Sequence, residues 1–211
     1  MASIRPYVSV LLYATIVALG SWSSAQAHKD LANSVVPGKS VGPLHLGDSR
    51  EHAEQLFPFK KDMDQEWTAS NSECGTTFLW VDPRERYGGN VFVHVRDGVV
   101  FQIDSATKRF HTATGITRGA SPSEVRKVFP SLQAYILSKG TSEAYGMRPL
   151  VYWTDKAAGI AFAFSFSRHE KSWALDHTVV FRPGAEICPE PEALSPSDKK
   201  QLPAFSFDYE Q

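Results

Sequence analysis

"HLGDSREHAEQLFP" occupies residues 45–58, and "TRGASPSEVRKVFP" repeats its pattern at residues 117–130. At this offset of 72 positions, glycine matches glycine, serine matches serine, and Phe-Pro matches Phe-Pro. In both copies the apolar residues are spaced at i, i+3 and i+4, which is typical of one face of a short helix. The proline then ends each helix after about two and a half turns.

The capping residues set where each helix begins. In the second copy Ser121 is expected to be the N-cap, with Pro122 at the first helical position. Glu124 follows at the third position, where its carboxylate can return a hydrogen bond to the backbone of the cap. In the first copy either Asp48 or Ser49 can cap the helix.

Aromatic and β-branched segments follow each helix and predict strands. The predicted strands are residues 66–70, 76–82 and 90–95 in the first copy, and residues 133–139, 148–154 and 161–167 in the second. In the first copy Asp97 and Gly98 lie between two apolar runs and predict a hairpin turn, because both residues tolerate positive φ.

We therefore predict an α+β fold of two tandem repeats, residues 40–111 and residues 112–183. Each repeat is a short helix followed by about four antiparallel strands. Because one short helix cannot cover the strands of its own repeat, the two sheets are expected to join or abut. Residues 184–211 form a Pro-rich C-terminal tail with a short aromatic segment at residues 204–210. That segment is expected either to dock on the protein's own sheet or to add a strand to a partner.

The two helical stretches carry a resemblance to known proteins. "LHLGDSREHAEQLF" and "ITRGASPSEVRKVF" resemble the Gly-x-Ser/Thr signature before the helix in the β-lactamase inhibitory protein family and in the BamE (SmpA/OmlA) outer-membrane assembly lipoproteins. The resemblance extends over fourteen residues in each copy and over the repeat length. It implies the same α+β unit. This chain departs from the assembly lipoproteins in having no cysteine for a lipid anchor after the predicted cleavage site.

The first 27 residues predict a secretory signal peptide, with Arg5 as the basic region, an apolar run at residues 8–19 and "AQA" before the cleavage site. The mature chain is then expected to begin near His28. An uncleaved membrane anchor is the alternative, but the apolar run is shorter than the about 20 residues that cross a bilayer. We expect a mature protein that does not span a membrane and is periplasmic or secreted.

Composition and charge restrict the classes of partner. Without residues 1–27 the chain carries 21 basic and 23 acidic side chains, and this near-neutral balance favours no nucleic-acid partner. Hydrophobic residues make up 42% of the whole chain, which is enough for a sizeable core.

Cys74 and Cys188 are the two cysteines of the chain. In an exported protein an isolated pair predicts a disulfide, here closing a loop of more than one hundred residues. The alternative is a reactive thiol at Cys74, which has no His or Lys next to it in the sequence to lower its pKa.

Motifs for the common enzyme classes are absent. The chain contains no H-E-x-x-H, G-x-S-x-G, Walker loop or C-x-x-C, so catalytic residues are unidentified and no cofactor is expected. His94 is predicted to be a half-buried structural residue on a strand. His169 and His177, which lie beside Glu170 and Asp176, are weak candidates for metal ligands.

Four aromatic side chains are candidates for a binding surface, because aromatic residues are enriched among interface anchors. They are Trp80, Tyr87, Tyr152 and Trp153. Core packing is the alternative for the same side chains. We predict a non-enzymatic, exported binding module that contacts a protein or a cell-envelope component. The alternative function is an envelope hydrolase or a metal-dependent enzyme whose site cannot be recognised from sequence.

Overall fold

A computed structural model of the chain describes residues 32–57, 74–85, 89–136, 150–167, 171–190 and 192–193. In these residues the fold is mixed α+β, as the sequence predicts, and it has two short helices and strands in two sheets. The organisation into two repeats stays a prediction. The predictions that lie outside the described residues are the signal peptide, the strand at residues 66–70, Tyr87, His169 and the aromatic segment at residues 204–210.

Both helices have a serine as the N-cap. The helices are α1, Arg50–Leu56, and α2, Pro122–Val128. The predicted capping box is confirmed in α2, because the Ser121 hydroxyl accepts from the Glu124 N–H at 3.3 Å and the Glu124 carboxylate accepts from the Ser121 N–H at 2.7 Å. In α1 the cap is Ser49 and not Asp48, since the Ser49 hydroxyl accepts from the His52 N–H at 3.2 Å.

A small sheet contains four short strands in the order β3-β2-β1-β7. They are β1, Ser34–Val36; β2, Ser40–Val41; β3, Leu44–His45; and β7, His111–Thr112. The β1–β7 pair is parallel, and the other two pairs are antiparallel. This sheet was not predicted, because strands of two or three residues are too short for an alternating pattern to be recognised.

The large sheet contains eight strands in the order β12-β8-β9-β10-β11-β6-β5-β4, and all its pairs are antiparallel. They are β4, Thr76–Val81; β5, Asn90–Arg96; β6, Val99–Ala106; β8, Gln133–Ile136; β9, Val151–Asp155; β10, Ile160–Ser167; β11, Ser172–Phe181; and β12, Glu192–Ala193. The strands that follow α1 and those that follow α2 join through β6 and β11, where Val179 lies opposite Asp104.

The predicted hairpin turn connects β5 to β6. Asp97 and Gly98 have φ angles of 53° and 76°, so both turn residues are left-handed, as two-residue hairpins prefer. Arg96 and Val99 form the pair that flanks the turn.

The loops before the two helices bind the large sheet in the same way. Gly47 and Gly119 have φ angles of 95° and 92°, a region that glycine occupies without strain. The Gly47 N–H donates to the Val100 carbonyl at 2.8 Å, and the Val100 N–H donates to the carbonyl of the residue after Gly47 at 2.9 Å. In the second loop the Gly119 N–H donates to the Leu175 carbonyl at 2.8 Å, and the Leu175 N–H donates to the carbonyl of the residue after Gly119 at 2.8 Å.

The large sheet has two faces of different character. The inner face packs against both helices, through the buried side chains Ala53 and Val125, and forms the main core. Core residues of the inner face include Val93, Ile103, Val151, Trp153, Phe162, Phe164 and Val180. The outer face carries a second apolar cluster made of Leu150, Tyr152, Ala161, Ala163, Val179 and Phe181, together with Ile187 from the segment after β11.

Candidate functional site

A cleft of about 540 Å³ lies beside the turn of the β5–β6 hairpin. One wall comes from residues 96–101, and the other from residues 182–190, which follow β11. We call it the disulfide cleft, because both cysteines line it. Its volume falls within the range of about 300 to 1,000 Å³ that is usual for ligand sites. The lining residues are Cys74, Arg96, Asp97, Val99, Val100, Phe101, Arg182, Ala185, Glu186, Ile187, Cys188, Pro189 and Glu190.

The floor of the cleft is apolar, and its rim is charged. Ile187, in the apolar cluster of the outer face, is buried at 4% exposure and Phe101 is half-buried, whereas Arg96 and Arg182 are exposed. Val99 is 40% exposed, which makes it an accessible apolar side chain beside the rim. An apolar floor with a few polar groups around it is the usual composition of a binding cleft.

The disulfide holds one wall of the cleft in place. Cys74 and Cys188 are bonded, with their Cα atoms 5.5 Å apart, which confirms the predicted pairing. Cys74 lies just before β4, and Cys188 lies in the segment after β11. The bond therefore ties the wall formed by residues 182–190 to the edge of the sheet that begins at β4.

Gln102 binds the same wall from the middle of β6. Its side-chain oxygen accepts from the Cys188 N–H at 2.7 Å, and its side-chain nitrogen donates to the Cys188 carbonyl at 2.8 Å. The same nitrogen donates to Asp104 Oδ1 at 2.9 Å. Because Gln102 is only 1% exposed, these bonds satisfy polar groups that cannot reach water.

Asp104 connects Gln102 to His94 on the neighbouring strand. His94 Nε2 lies 3.1 Å from Asp104 Oδ2, and His94 Nδ1 lies 3.0 Å from the Thr77 hydroxyl. Asp104 and Thr77 thus contact the two ring nitrogens of His94, and together they fix the orientation of the ring. The Thr77–His94–Asp104–Gln102 series, which we call the polar network, therefore crosses three adjacent strands.

The polar network also supports the second wall of the cleft. The His94 ring meets the Phe101 ring edge to face, with centroids 6.1 Å apart. The Arg96 guanidinium in turn lies 4.5 Å from the centroid of the Phe101 ring. One set of buried side chains thus positions Cys188 in one wall and Phe101 with Arg96 in the other.

A second group of polar side chains lies further along the outer face. His177 Nδ1 is 3.1 Å from Asp176 Oδ2, and its Nε2 is 3.4 Å from the Tyr152 hydroxyl. Burial, together with the charges of Asp104 and Asp176, raises the pKa of Tyr152 well above its ordinary value, so this hydroxyl keeps its proton. Burial opposes protonation of His177, but the hydrogen bond and charge of Asp176 outweigh it, and the pKa of His177 is raised.

The stability of the protein is expected to fall as the pH rises above the ordinary histidine pKa of 6.5. Because the pKa of His177 is higher in the folded state, its protonation favours folding. This contribution is fully present below pH 6.5 and is lost as the pH passes through the raised pKa of the folded state. Denaturant unfolding at a series of pH values measures the slope of the free energy of unfolding against pH. His177→Gln should flatten the slope in this range, and a slope as steep as in the unchanged protein would contradict the assignment.

Three of the four aromatic binding candidates lie in the interior. Trp80, Tyr152 and Trp153 are 7%, 4% and 3% exposed. Trp80 packs on Phe57, with ring centroids 5.0 Å apart. Core packing, the alternative considered for these side chains, accounts for all three, and they are not exposed to a partner in this structure. Tyr87 lies outside the described residues.

The histidines give no metal centre within the parts of the chain that the structure describes. These residues contain no group of three or more His, Cys, Asp or Glu side chains that could hold a metal ion. His177 uses both ring nitrogens for Asp176 and Tyr152, whereas His169 lies outside the described residues. His94, expected to be half-buried, is 6% exposed.

Sequence reasoning missed the residues that form the cleft. Gln102, Phe101, Arg96 and Arg182 belong to no motif, and their proximity depends on the pairing of β6 with β5 and β11. The predicted turn and the predicted disulfide were the available signals, because residues 96–101 and Cys188 form the two walls.

Comparison with known proteins gives little further information. No protein-family model matches the sequence, and no curated protein is detectably similar to it. A solved structure, that of the uncharacterised protein YfeY from Escherichia coli, is similar over 51% of this chain and 74% of that chain, at 15% sequence identity and a TM-score of 0.34. In the described residues, no helix is both long and apolar enough to cross a membrane.

Proposed function

We propose that this protein is an exported binding module that contacts a protein or a cell-envelope component through the disulfide cleft. The proposal depends on one observation, which is that a single buried network positions both walls of the cleft. Gln102 holds Cys188 in one wall, and His94 supports Phe101 in the other. Walls that are ordered before binding reduce the entropy lost when a partner binds, which favours recognition.

The proposed location is the periplasm or the extracellular space. The Cys74–Cys188 bond supports it, because disulfides persist in oxidising compartments. The predicted signal peptide at residues 1–27 supports the same location.

The proposed architecture is two tandem repeats, residues 40–111 and residues 112–183, as in the families that the helical stretches resemble. Support comes from Gly47 and Gly119, whose loops make equivalent hydrogen bonds to the large sheet. Further support comes from irregularities in the strand register at matching places, after His94 in β5 and after Ala163 in β10.

A hydrolase is the second candidate function, because Thr77, His94 and Asp104 form a hydroxyl–imidazole–carboxylate series. We rank it below binding, since His94 and Asp104 are 6% and 9% exposed and neither lines the cleft. Hydrolytic turnover by the purified protein that disappears in His94→Gln would reverse this order.

Val99→Arg is expected to reduce recovery of a specific partner by about tenfold or more, because the new side chain would occupy the mouth of the cleft. The experiment captures partners from the native envelope with the immobilised, disulfide-bonded protein and compares the proteins recovered. Val99 is 40% exposed, so the fold should tolerate the change.

Ala113→Arg is the matched control, because Ala113 is exposed in a turn and does not line the cleft. It should leave capture unchanged. A partner recovered equally by the unchanged protein and by both variants would show that the binding surface lies elsewhere.

A further inference from the structure

We propose that the disulfide cleft binds a single carboxylate carried beside an apolar group, and that Arg96 and Arg182 hold the carboxylate. This inference rests on the proposed binding function, since it names the chemistry that the cleft would recognise. It is carried by the presence of both arginines in the cleft lining, by the contact of Arg96 with Phe101, and by the apolar side chains beside them.

The two arginines lie at the ends of the two strands that flank β6. Arg96 ends β5, and Phe101 lies on the adjacent strand β6. On the other side of β6, Phe181 pairs with Gln102, and Arg182 follows directly after the last residue of β11. Arg96 pairs with Val99 and its guanidinium contacts the Phe101 ring, and Arg96, Phe101 and Arg182 all line the cleft.

Arg96 is oriented before a ligand arrives. Its guanidinium lies 4.5 Å from the centroid of the Phe101 ring, and the ring itself contacts His94. Since the N–H groups of a guanidinium point outward in its plane, stacking on an aromatic ring leaves them available to a carboxylate. Two N–H groups held in this way can donate to both oxygens of one carboxylate.

The two guanidinium groups are not neutralised by the acidic side chains of the rim. Within the described ranges of the chain, neither Arg96 nor Arg182 has a carboxylate oxygen within 4.0 Å. Glu186 is bound by Lys156, whose Nζ donates to it at 2.6 Å. Two positive charges thus remain available at the rim of the cleft.

The rest of the lining restricts the ligand further. Three carboxylates, those of Asp97, Glu186 and Glu190, also line the cleft and would repel doubly charged phosphate more strongly than a singly charged carboxylate. Ile187 and Phe101 line the cleft together with the arginines, and these apolar side chains favour an apolar group. A monoanionic carboxylate beside a leucine-like or phenylalanine-like group satisfies both conditions.

The test is isothermal titration calorimetry on the full exported protein with its disulfide intact. The probes are acetyl-Leu-Phe, which ends in a free carboxylate, and acetyl-Leu-Phe-amide, which has the same shape without the charge. The acid is expected to bind about tenfold or more tightly than the amide, because charged hydrogen bonds would be lost. Acetyl-Glu-Leu-amide distinguishes a side-chain carboxylate from a chain terminus, and binding of either carboxylate supports the proposal. Inorganic phosphate is expected to bind more weakly than the acid.

Arg96→Gln and Arg182→Gln should each weaken binding of the acid by about five- to tenfold and leave the amide unaffected. Arg96→Lys retains the charge but loses the planar fork, and should also bind the acid more weakly. Lys127→Gln is the control, because it removes one exposed positive charge on α2, away from the cleft lining. It should bind the acid as the unchanged protein does.

Equal affinity for acid and amide, phosphate binding as tight as the acid, unchanged affinity in both arginine variants, or no binding at millimolar concentration would each overturn the proposal. Partner capture separates this failure from failure of the proposed function. If Val99→Arg abolishes capture while Arg96→Gln and Arg182→Gln retain it, the cleft is the binding site but a carboxylate is not what it recognises. If none of the variants changes capture, the proposed site itself is wrong.

Discussion

Replacing both Cys74 and Cys188 with serine is expected to lower the free energy of unfolding by about 4 to 5 kcal/mol. The two residues are 114 positions apart, so the bond closes a long loop and restricts the unfolded chain strongly. In the folded state it also joins the wall of the cleft at residues 182–190 to the start of β4. Denaturant unfolding of the oxidised protein and of the double variant measures the difference.

Reduction provides the matched comparison, because it breaks the same bond without changing the sequence. The reduced protein should unfold at the same denaturant concentration as the double variant, and the double variant should not respond to reductant. Alkylation of both thiols in protein purified without reductant from an oxidising compartment would contradict the bond. The cleft would then lose the main constraint on one of its walls.

The local elements could be predicted because their signals are local. Ser121 and Glu124 form the predicted capping box, and Asp97 with Gly98 forms the predicted turn. The disulfide could be predicted from composition and compartment alone, since the chain has only two cysteines. Each of these inferences needs only neighbouring residues or a count, so the long-range pairing of strands does not affect it.

The cleft could not be predicted because it depends on which strands are neighbours. Phe101 and Arg182 are far apart in sequence, and both reach the cleft only because β6 pairs with β11. The aromatic side chains were ambiguous for a related reason, since Trp80 and Trp153 lie within predicted strands but the sequence does not show which face of the sheet is covered. The inner face is covered by the helices, and this buries both tryptophans.

Gln102→Leu is expected to lower the free energy of unfolding by about 3 kcal/mol, because buried polar groups lose their partners at about 1 to 3 kcal/mol each. The Cys188 N–H and carbonyl would both lose a hydrogen bond, and Asp104 would lose one of its two donors. Leucine has a similar size to glutamine, so part of the cost is offset by its better transfer to the interior. Denaturant unfolding measures the net loss.

Hydrogen exchange distinguishes a local role of Gln102 from a general loss of stability. The Cys188 amide should exchange faster in Gln102→Leu by a larger factor than amides of the inner-face strands, because the variant releases the wall of the cleft directly. Gln102→Glu keeps an acceptor for the Cys188 N–H but places a second carboxyl group beside Asp104. Because the neighbouring negative charge raises the pKa of the new carboxyl in the folded state, this variant should become more stable as the pH falls through that raised pKa. If the Cys188 amide exchanges at the same rate in Gln102→Leu and in the unchanged protein, the disulfide alone holds the wall, and Gln102 does not couple the polar network to the cleft.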